Sequence, residues 1–178
     1  HLIIHKLNKR YGIGGALLEW IRDWLSGRLQ RVVLNGEASE WANVTSGVIQ
    51  GSVLGPILAL MMLDSIDEEL SYCKISKYAD DNKIYAIIRD EQDHRNAQAD
   101  LDRVALWARR WGFDLNADKC TVVQFGGDGH WPFFLDGKAL QESTMVKDLG
   151  VVITNDLKWD GQVSAATSKA RTMARSLA

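Results

Sequence analysis

The stretch KISKYADDNKIYAII, residues 74 to 88, sets two aspartates between two segments that are typical of β-strands. Lys74 to Tyr78 alternates polar and apolar residues, and Ile84 to Ile88 is β-branched and aromatic, which suits a half-buried pleated surface. Asp80, Asp81 and Asn82 favour a turn, because their short side chains can bond back to the backbone. The stretch therefore predicts a β-hairpin with a carboxylate pair at its tip. Two adjacent negative charges repel, so a site that keeps both ionised usually supplies a cation.

Helices and further strands are expected on both sides of this hairpin. Apolar residues at helical spacing predict helices over residues 2–11, 17–25, 57–70 and 91–111, and a final basic helix after Asn155-Asp156. Predicted strands cover residues 31–34 and 41–48 around the Asn35-Gly36 turn, 120–125, 131–135 before the Asp136-Gly137 turn, and 146–153. From residue 50 to 125 the order is helix, hairpin, helix, strand. This order predicts an α+β fold built on a ferredoxin-like split βαβ unit, with an antiparallel sheet and packed helices and without its opening strand.

Composition sets the broad class. The chain has 178 residues, 46% of them hydrophobic and 25% charged, which is typical of one globular domain or of one domain and part of another. No apolar run reaches the roughly 18 residues of a membrane span, so no membrane segment is expected. Cys73 and Cys120 have no CxxC spacing, which favours two buried thiols in an intracellular protein of the nucleus or cytoplasm. The net charge is −2, with basic ends and an acidic centre. This pattern suits a metal site beside a phosphate track, and equally a globule with charged helix surfaces.

Four motifs together resemble one family. QGSVLGP (residues 50–56) is followed by YADD (78–81), NADK (116–119) and KDLGVVITNDLKW (147–159). In this order and spacing they resemble the palm of a reverse transcriptase, and most of all the RNA-directed DNA polymerases of LINE-type, non-LTR retrotransposons. The resemblance implies a partial fingers and palm region over residues 1–125. It implies that residues 126–178 form the end of the palm and the start of the thumb.

The resemblance implies a metal site at the hairpin. Asp80 and Asp81 would be catalytic metal ligands, and the complete enzyme would use two Mg²⁺ ions, with Mn²⁺ as an alternative. Two such ions can activate a primer 3′-hydroxyl and stabilise the leaving pyrophosphate, and magnesium prefers hard oxygen ligands. Tyr78 would lie near the primer end. Without the flanking motifs, the same aspartates would be interpreted as a solvated turn.

The other motifs supply further candidates. Gln50, Gly51 and Ser52 would lie against the template and the incoming nucleotide, where glycine permits close backbone approach, and Ser52 can also cap the following helix. Lys119 would be a catalytic residue near the leaving pyrophosphate, or else a strand-edge lysine in water. Leu149-Gly150 resembles the segment that holds the primer strand.

One part of the family pattern is absent from the sequence. Related enzymes carry a further aspartate in a motif similar to FDxVxH, and His1 resembles the last letter of that motif. We therefore expect a fragment that lacks the first catalytic aspartate and cannot polymerise DNA alone. Its expected partners are an RNA template, a DNA primer, deoxynucleoside triphosphates, and the remaining fingers and thumb of a parent polyprotein. The alternative is a non-catalytic nucleic-acid-binding module derived from a polymerase palm.

Overall fold

Two compact units make up the chain. The computed structural model describes residues 2–79, 81–126 and 129–176. The first unit comprises His1–Ala86 with Trp107–Phe113, and the second comprises Ile87–Leu106 with Asp114–Ala178. This division concerns packing alone, so the boundary between palm and thumb near residue 126 stays a prediction. Over the described ranges, no helix is both long enough and apolar enough to cross a bilayer.

Five α-helices are present in the described chain. They are α1 (Leu2–Tyr11), α2 (Gly15–Leu25), α3 (Leu54–Leu63), α4 (Glu91–Trp111) and α5 (Asp160–Ser176), with 3₁₀ helices at Asp64–Glu69 and Ala117–Lys119. The bounds of α4 match the prediction. The helix predicted over residues 57–70 is corrected: it begins at Leu54 and tightens into the 3₁₀ helix from Asp64 onward.

The described strands form two-stranded pairs. The antiparallel pairs are β1 (Leu29–Gln30) with β4 (Ala42–Asn43), β2 (Val33–Leu34) with β3 (Glu37–Ala38), β5 (Lys74–Tyr78) with β6 (Asp81–Tyr85), β8 (Phe134–Leu135) with β9 (Lys138–Ala139), and β11 (Met145–Asp148) with β12 (Val151–Thr154). The parallel pair is β7 (Thr121–Val122) with β10 (Gln141–Glu142). Helices with small, mostly antiparallel sheets confirm the α+β class. Within the described residues these pairs do not join into a larger sheet, so the split βαβ palm stays a prediction.

Several predicted strands are shorter or shifted. The strand predicted over residues 41–48 is only Ala42–Asn43, the one over 120–125 is Thr121–Val122, the one over 131–135 is Phe134–Leu135, and the one over 146–153 is the β11–β12 hairpin. The strand predicted over residues 84–88 is Asp81–Tyr85 instead. Both predicted two-residue turns are confirmed. Asn35-Gly36 and Asp136-Gly137 have positive φ at both positions, as a type I′ hairpin turn requires.

The core of the first unit lies among α1, α2 and α3. Its buried side chains repeat at helical spacing, and they are Ile3, Ile4, Leu7, Leu18, Ile21, Leu25 and Leu58. On α2 the buried positions are three and four residues apart, which places them on one face. The polar positions between them stay in water, so burial of this one stripe holds the three helices together.

Local signals fix both ends of α4. At the start, Oδ1 of Asp90 accepts a hydrogen bond from the N–H of Asp93, and Oδ2 of Asp93 accepts one from the N–H of Arg89, a reciprocal arrangement similar to a capping box. At the end, Gly112 has φ of +72° and the N–H of Phe113 donates to the carbonyl of Ala108. This is a Schellman motif, in which glycine adopts the left-handed conformation cheaply. These caps explain why the predicted bounds are correct.

In the second unit, side chains hold the segment of residues 131–134. The amide of Gln98 both donates to and accepts from the backbone of Phe134, at 2.9 Å each way. The amide of Gln124 does the same for the backbone of Trp131, at 3.2 Å. These glutamines therefore supply hydrogen bonds that a neighbouring strand would otherwise provide.

Candidate functional site

The β5–β6 hairpin carries the predicted metal site. Its last cross-strand pair is Tyr78 with Asp81, so Asp81 opens strand β6 and does not lie in the turn. This corrects the predicted position of Asp81, and Asn82 likewise pairs with Lys77. Ala79, the residue after Tyr78, has φ of +53°. Asp80, the other predicted metal ligand, lies outside the described residues.

One face of the hairpin presents Asp81 to solvent. Cross-strand neighbours share a face, so Tyr78, Asp81 and Lys83 lie on the same side. Tyr78 is 63% exposed and Asp81 is exposed. Among the described residues, the Asp81 carboxylate has no hydrogen-bond or ion-pair partner, and no three His, Cys, Asp or Glu side chains are grouped for a metal. The carboxylate is therefore free to bind a cation from solution.

The opposite face ties the hairpin to the rest of the first unit. Ile75 and Ile84 pair across the strands and are half-buried. The ammonium of Lys77 donates to the carboxylate of Asp67 at 3.0 Å and to the backbone carbonyl of Asp64 at 3.1 Å. These contacts leave the Asp81 face open.

A second aspartate, Asp64, lies at the end of α3 in a network that sequence analysis missed. Its Oδ2 accepts hydrogen bonds from the hydroxyl of Tyr11 and from Nε of Arg10, the latter at 2.8 Å. Its Oδ1 lies 2.9 Å from Nζ of Lys6, with which it forms an ion pair. Lys6 is 2% exposed and also donates to the Met62 carbonyl at 2.6 Å and to the Ser65 hydroxyl at 2.8 Å. The sequence signal that could have indicated this network is the position of Lys6 among the apolar residues of α1.

The network changes the ionisation of its members. Burial alone would raise the pKa of Asp64, but hydrogen bonds from Tyr11, Lys6 and Arg10 outweigh it and lower the pKa to about 2. Partial burial and the hydrogen bond to Asp64 raise the pKa of Tyr11 to about 12. Asp64 is therefore a carboxylate already neutralised by the protein, which makes it a structural group.

The QGS motif forms a closed turn before α3. The N–H of Ser52 bonds to the carbonyl of Ile49 at 3.3 Å, and Gly51 has φ of +81°, which a type II turn requires at its third position. Ser52 Oγ accepts from the N–H of Gly55 at 3.0 Å, as a capping side chain does. The residue directly before α3 is Val53, however, so Ser52 lies one position before the N-cap position. A Cβ on Gly55 would lie 2.7 Å from Ser52 Oγ and 2.8 Å from the Ile49 carbonyl. Gly55 is thus needed for the turn to fold back on the helix, whereas Gly51 supplies the positive φ. Gln50 is left exposed at the turn.

Lys119 ends a 3₁₀ turn in the second unit. The Asn116 side chain begins this turn by accepting the N–H of Asp118 at 2.9 Å. The neighbouring Asp118 is paired with Lys138 at 2.6 Å, whereas Lys119 is exposed and has no ion-pair partner among the described residues. Its ammonium is therefore available to an anionic ligand.

Leu149-Gly150 is the turn of the β11–β12 hairpin. Both residues have positive φ, +45° and +90°, the type I′ geometry. A leucine in this left-handed region costs about 1–2 kcal/mol, and Leu149 is nevertheless 54% exposed. The turn therefore presents an apolar side chain to solvent at a strained position, which is a feature that accompanies functional loops.

Comparison with known proteins identifies the family. Residues 4–153 match the family model described as "Reverse transcriptase (RNA-dependent DNA polymerase)". The chain belongs to the reverse transcriptase family. It is 30% identical over 158 residues to the probable RNA-directed DNA polymerase from transposon X-element of Drosophila melanogaster, covering 85% of this chain and 17% of that protein. It is 27% identical over 164 residues to the RNA-directed DNA polymerase from mobile element jockey of the same organism, covering 85% and 18%.

These matches confirm the predicted resemblance to LINE-type, non-LTR reverse transcriptases. The chain spans less than a fifth of the length of the two relatives. The matched region contains each of the candidate residues. It also contains the Asp64 network and the 3₁₀ turn at Lys119.

Within this reverse transcriptase segment, the structure groups only some of the candidates. Tyr78 and Asp81 are cross-strand neighbours in the first unit, and the QGS turn belongs to the same unit. Lys119 and the Leu149-Gly150 turn belong to the second unit. The roles of these residues remain predictions.

Proposed function

We propose that this chain is part of the palm of an RNA-directed DNA polymerase, followed by the start of its thumb. In its complete form the enzyme adds deoxynucleotides to a primer 3′-hydroxyl on an RNA template. The observation that carries this proposal is the unpaired, exposed carboxylate of Asp81 at the closing pair of the β5–β6 hairpin, within the span that matches the family. An acidic group left free at the end of a tied hairpin is suited to binding rather than to stability.

The donor chemistry at the hairpin fits magnesium. Asp81 offers a hard carboxylate oxygen in water, with no cation of the described chain paired to it, and magnesium prefers such ligands while keeping several waters. Asp80 and Asp81 would hold the ions. Bound there, divalent ions would supply charge neutralisation for the attacking hydroxyl and the leaving pyrophosphate.

The remaining candidates have roles in positioning. The exposed ring of Tyr78 offers a surface for the primer end beside Asp81. The QGS turn exposes the Gln50 amide, which can hydrogen-bond a template base or an incoming nucleotide. Lys119 can neutralise charge on pyrophosphate, because its ammonium is exposed and unpaired among the described residues. The Leu149-Gly150 turn offers an apolar contact for the primer strand.

The chain alone is proposed to be inactive. Its described hairpin supplies one carboxylate, and the family mechanism uses a further aspartate from a segment with the FDxVxH-type motif, which this sequence does not contain. The proposed partners are therefore that segment, the remaining fingers and thumb, an RNA template with a DNA primer, and deoxynucleoside triphosphates. The alternative function is a non-catalytic nucleic-acid-binding module derived from a polymerase palm, which would bind nucleic acid without a metal.

Primer–template binding separates these functions. We would measure binding of the chain to a labelled DNA primer on an RNA template, with magnesium, with manganese and with EDTA, and test extension in the same samples. Metal-dependent binding without extension is expected. The dependence should be lost in Asp81→Asn and kept in Asp23→Asn, because Asp23 is an exposed aspartate of α2 without a side-chain partner in the described chain.

Three results would contradict parts of the proposal. Binding that is equal in EDTA would favour the non-catalytic module. Extension by the chain alone would overturn the proposed inactivity. Absence of binding in all conditions would overturn nucleic-acid recognition by this segment. In a longer protein that includes the upstream aspartate, extension should occur and Asp81→Asn should abolish it.

A further inference from the structure

Residues 29–43 form an exposed two-stranded arm in the first unit. Every residue of this arm is exposed. The pairing shifts by one residue along its length. Gln30 pairs with Ala42 near the base, whereas Val33 pairs with Ala38 nearer the tip.

The shift defines a β-bulge. Between the two ladders, Arg31 and Val32 oppose the three residues 39–41. The N–H of Ser39 donates to the Val32 carbonyl at 2.9 Å, and Ser39 Oγ accepts from the Val32 N–H at 3.0 Å. These bonds fix one side of the bulge. A bulge bends its strand and redirects a side chain, and bulges are enriched next to functional sites.

The redirected side chains form a cation–π pair. The Arg31 guanidinium lies 4.6 Å from the centre of the Trp41 ring. Trp41 is 58% exposed, and Arg31 has no carboxylate within ion-pair distance among the described residues. A guanidinium that stacks on an aromatic ring and keeps its hydrogen-bond donors in water presents a flat, cationic surface.

A small cleft lies beside this pair. Its volume is about 200 Å³, and it is lined by Gln30, Arg31, Val32, Ser39, Glu40 and Ala42. The lining mixes hydrogen-bonding groups with two small apolar side chains. Planar ligands with polar edges suit such a cleft better than a bulky apolar side chain does, because the amide and the carboxylate would otherwise lose water without a partner.

We propose that the arm is a nucleobase-stacking site for single-stranded nucleic acid, formed by Trp41 and Arg31 at the bulge. This inference rests on the proposed function, since it requires that the chain handles nucleic acid. The arm carries Arg31 together with Glu37 and Glu40, so it is not a phosphate track. Stacking on an aromatic ring and a guanidinium plane is the contact it offers, and stacking tolerates any base.

The test measures binding of a short labelled oligo(U) and a short labelled oligo(dT) to the full chain by fluorescence anisotropy. Trp41→Ala should weaken binding by roughly fivefold to a hundredfold, the range for loss of one stacked base, and Trp41→Phe should restore most of it. Arg31→Lys keeps the charge and loses the planar surface, so it should weaken binding severalfold with an unchanged salt dependence.

Trp20 supplies the matched control. It is 55% exposed on α2 and stacks on Trp24 at 6.4 Å between ring centres, and no guanidinium of the described residues lies over it. Trp20→Ala should leave the affinity within about twofold of the unmodified chain, and circular dichroism should show that all variants keep the fold. The Trp41 variants touch only an exposed side chain, so they should fold normally.

The possible outcomes distinguish failure of the stacking site from failure of the proposed function on which it rests. If the unmodified chain binds oligonucleotides and Trp41→Ala binds within twofold, the stacking site is wrong and the proposed function stands. If Trp41→Ala changes the oligomeric state in sedimentation and leaves the affinity unchanged, the arm is a protein interface and the inference is overturned. If the unmodified chain binds the primer–template but neither oligonucleotide, the inference is overturned and the proposed function stands; if it binds none of them, both are overturned.

Discussion

Asp64 and Asp81 belong to the same compact unit, but their carboxylates differ in the contacts that they make. Asp64 is contacted by the side chains of Tyr11, Lys6 and Arg10, which lower its pKa to about 2. Asp81 is exposed and has no such contact among the described residues. Each lies at the boundary of a regular element, Asp64 directly after α3 and Asp81 at the start of β6.

This difference indicates which of the two carboxylates is available to bind a ligand. A carboxylate whose charge is compensated inside the protein adds to stability and would have to give up those contacts to bind a metal. A carboxylate left in water adds little to stability and keeps its full attraction for a cation. Stability and binding should therefore respond to different substitutions, and this separation can be tested.

We expect the largest effect on stability from substitution of Lys6, which contacts Asp64. Lys6→Met removes a donor from Met62, Ser65 and Asp64 in a position that is 2% exposed. It should lower the free energy of unfolding by about 3 kcal/mol, because buried acceptors and a carboxylate lose their cation. Urea unfolding followed by tryptophan fluorescence measures this.

Lys9→Met on the same helix is the control. Lys9 is exposed and unpaired among the described residues, so its replacement should change stability by less than about 0.5 kcal/mol. Equal effects of the two substitutions would show that the Asp64 network does not depend on Lys6.

A direct comparison of the two aspartates should give the next largest effect. Asp64→Asn should lower the free energy of unfolding by about 1–2 kcal/mol, because the amide cannot balance Lys6 and Arg10. Asp81→Asn should change it by less than about 0.5 kcal/mol, because no contact in the described chain is lost. The same urea titration decides this, and a larger loss in Asp81→Asn would reverse the comparison.

Sequence reasoning succeeded where signals were local. The apolar stripe and the caps of α4 set both of its ends, and Asn35-Gly36 and Asp136-Gly137 determine tight turns by their own preferred backbone angles. The motif order also identified the family correctly. Each of these features depends on residues close together in the chain.

Sequence reasoning failed where contacts between residues far apart in the chain determine the local structure. Asp81 and Asn82 have low strand propensity, yet cross-strand pairing with Tyr78 and Lys77 places them in β6. The apolar run of α3 gives no local sign that the α-helix ends at Leu63, where the Asp64 contacts from α1 begin. Leu149 in a left-handed turn contradicts its own preference. For the site, motifs named the candidates but could not reveal which carboxylates were already paired.

The ionisation of Asp64, and not that of Asp81, should contribute to the dependence of stability on pH. The pKa of Asp64 is about 2 in the folded chain against an ordinary value of 3.8. A lowered pKa stabilises the fold above the ordinary value, and this contribution is lost as pH falls from about 4 to about 2. The stability gap between the unmodified chain and Asp64→Asn should therefore narrow by about 1 kcal/mol over this range, allowing for solvent screening at a carboxylate that is partly exposed.

Urea midpoints at a series of pH values between 7 and 2 would measure this narrowing. Asp81→Asn should follow the unmodified chain throughout. A constant gap down to pH 2 would mean that the charge of Asp64 does not stabilise the fold.

The smallest effect is expected in metal binding by the isolated chain, and it tests the Asp81 side directly. Manganese should bind weakly at the hairpin, in the millimolar range, because few carboxylates gather there and a hard cation needs several oxygens to bind tightly. Its paramagnetism should broaden the backbone amide signals of Tyr78 and Asn82 in NMR spectra. Asp81→Asn should reduce this broadening severalfold, whereas Asp23→Asn should leave it unchanged. Asp64→Asn should also leave the broadening unchanged, because the charge of the Asp64 carboxylate is already balanced by Lys6, Arg10 and Tyr11. If manganese instead broadens the signals of residues near Asp64 and not those of the hairpin, the paired carboxylate, and not the free one, attracts the metal.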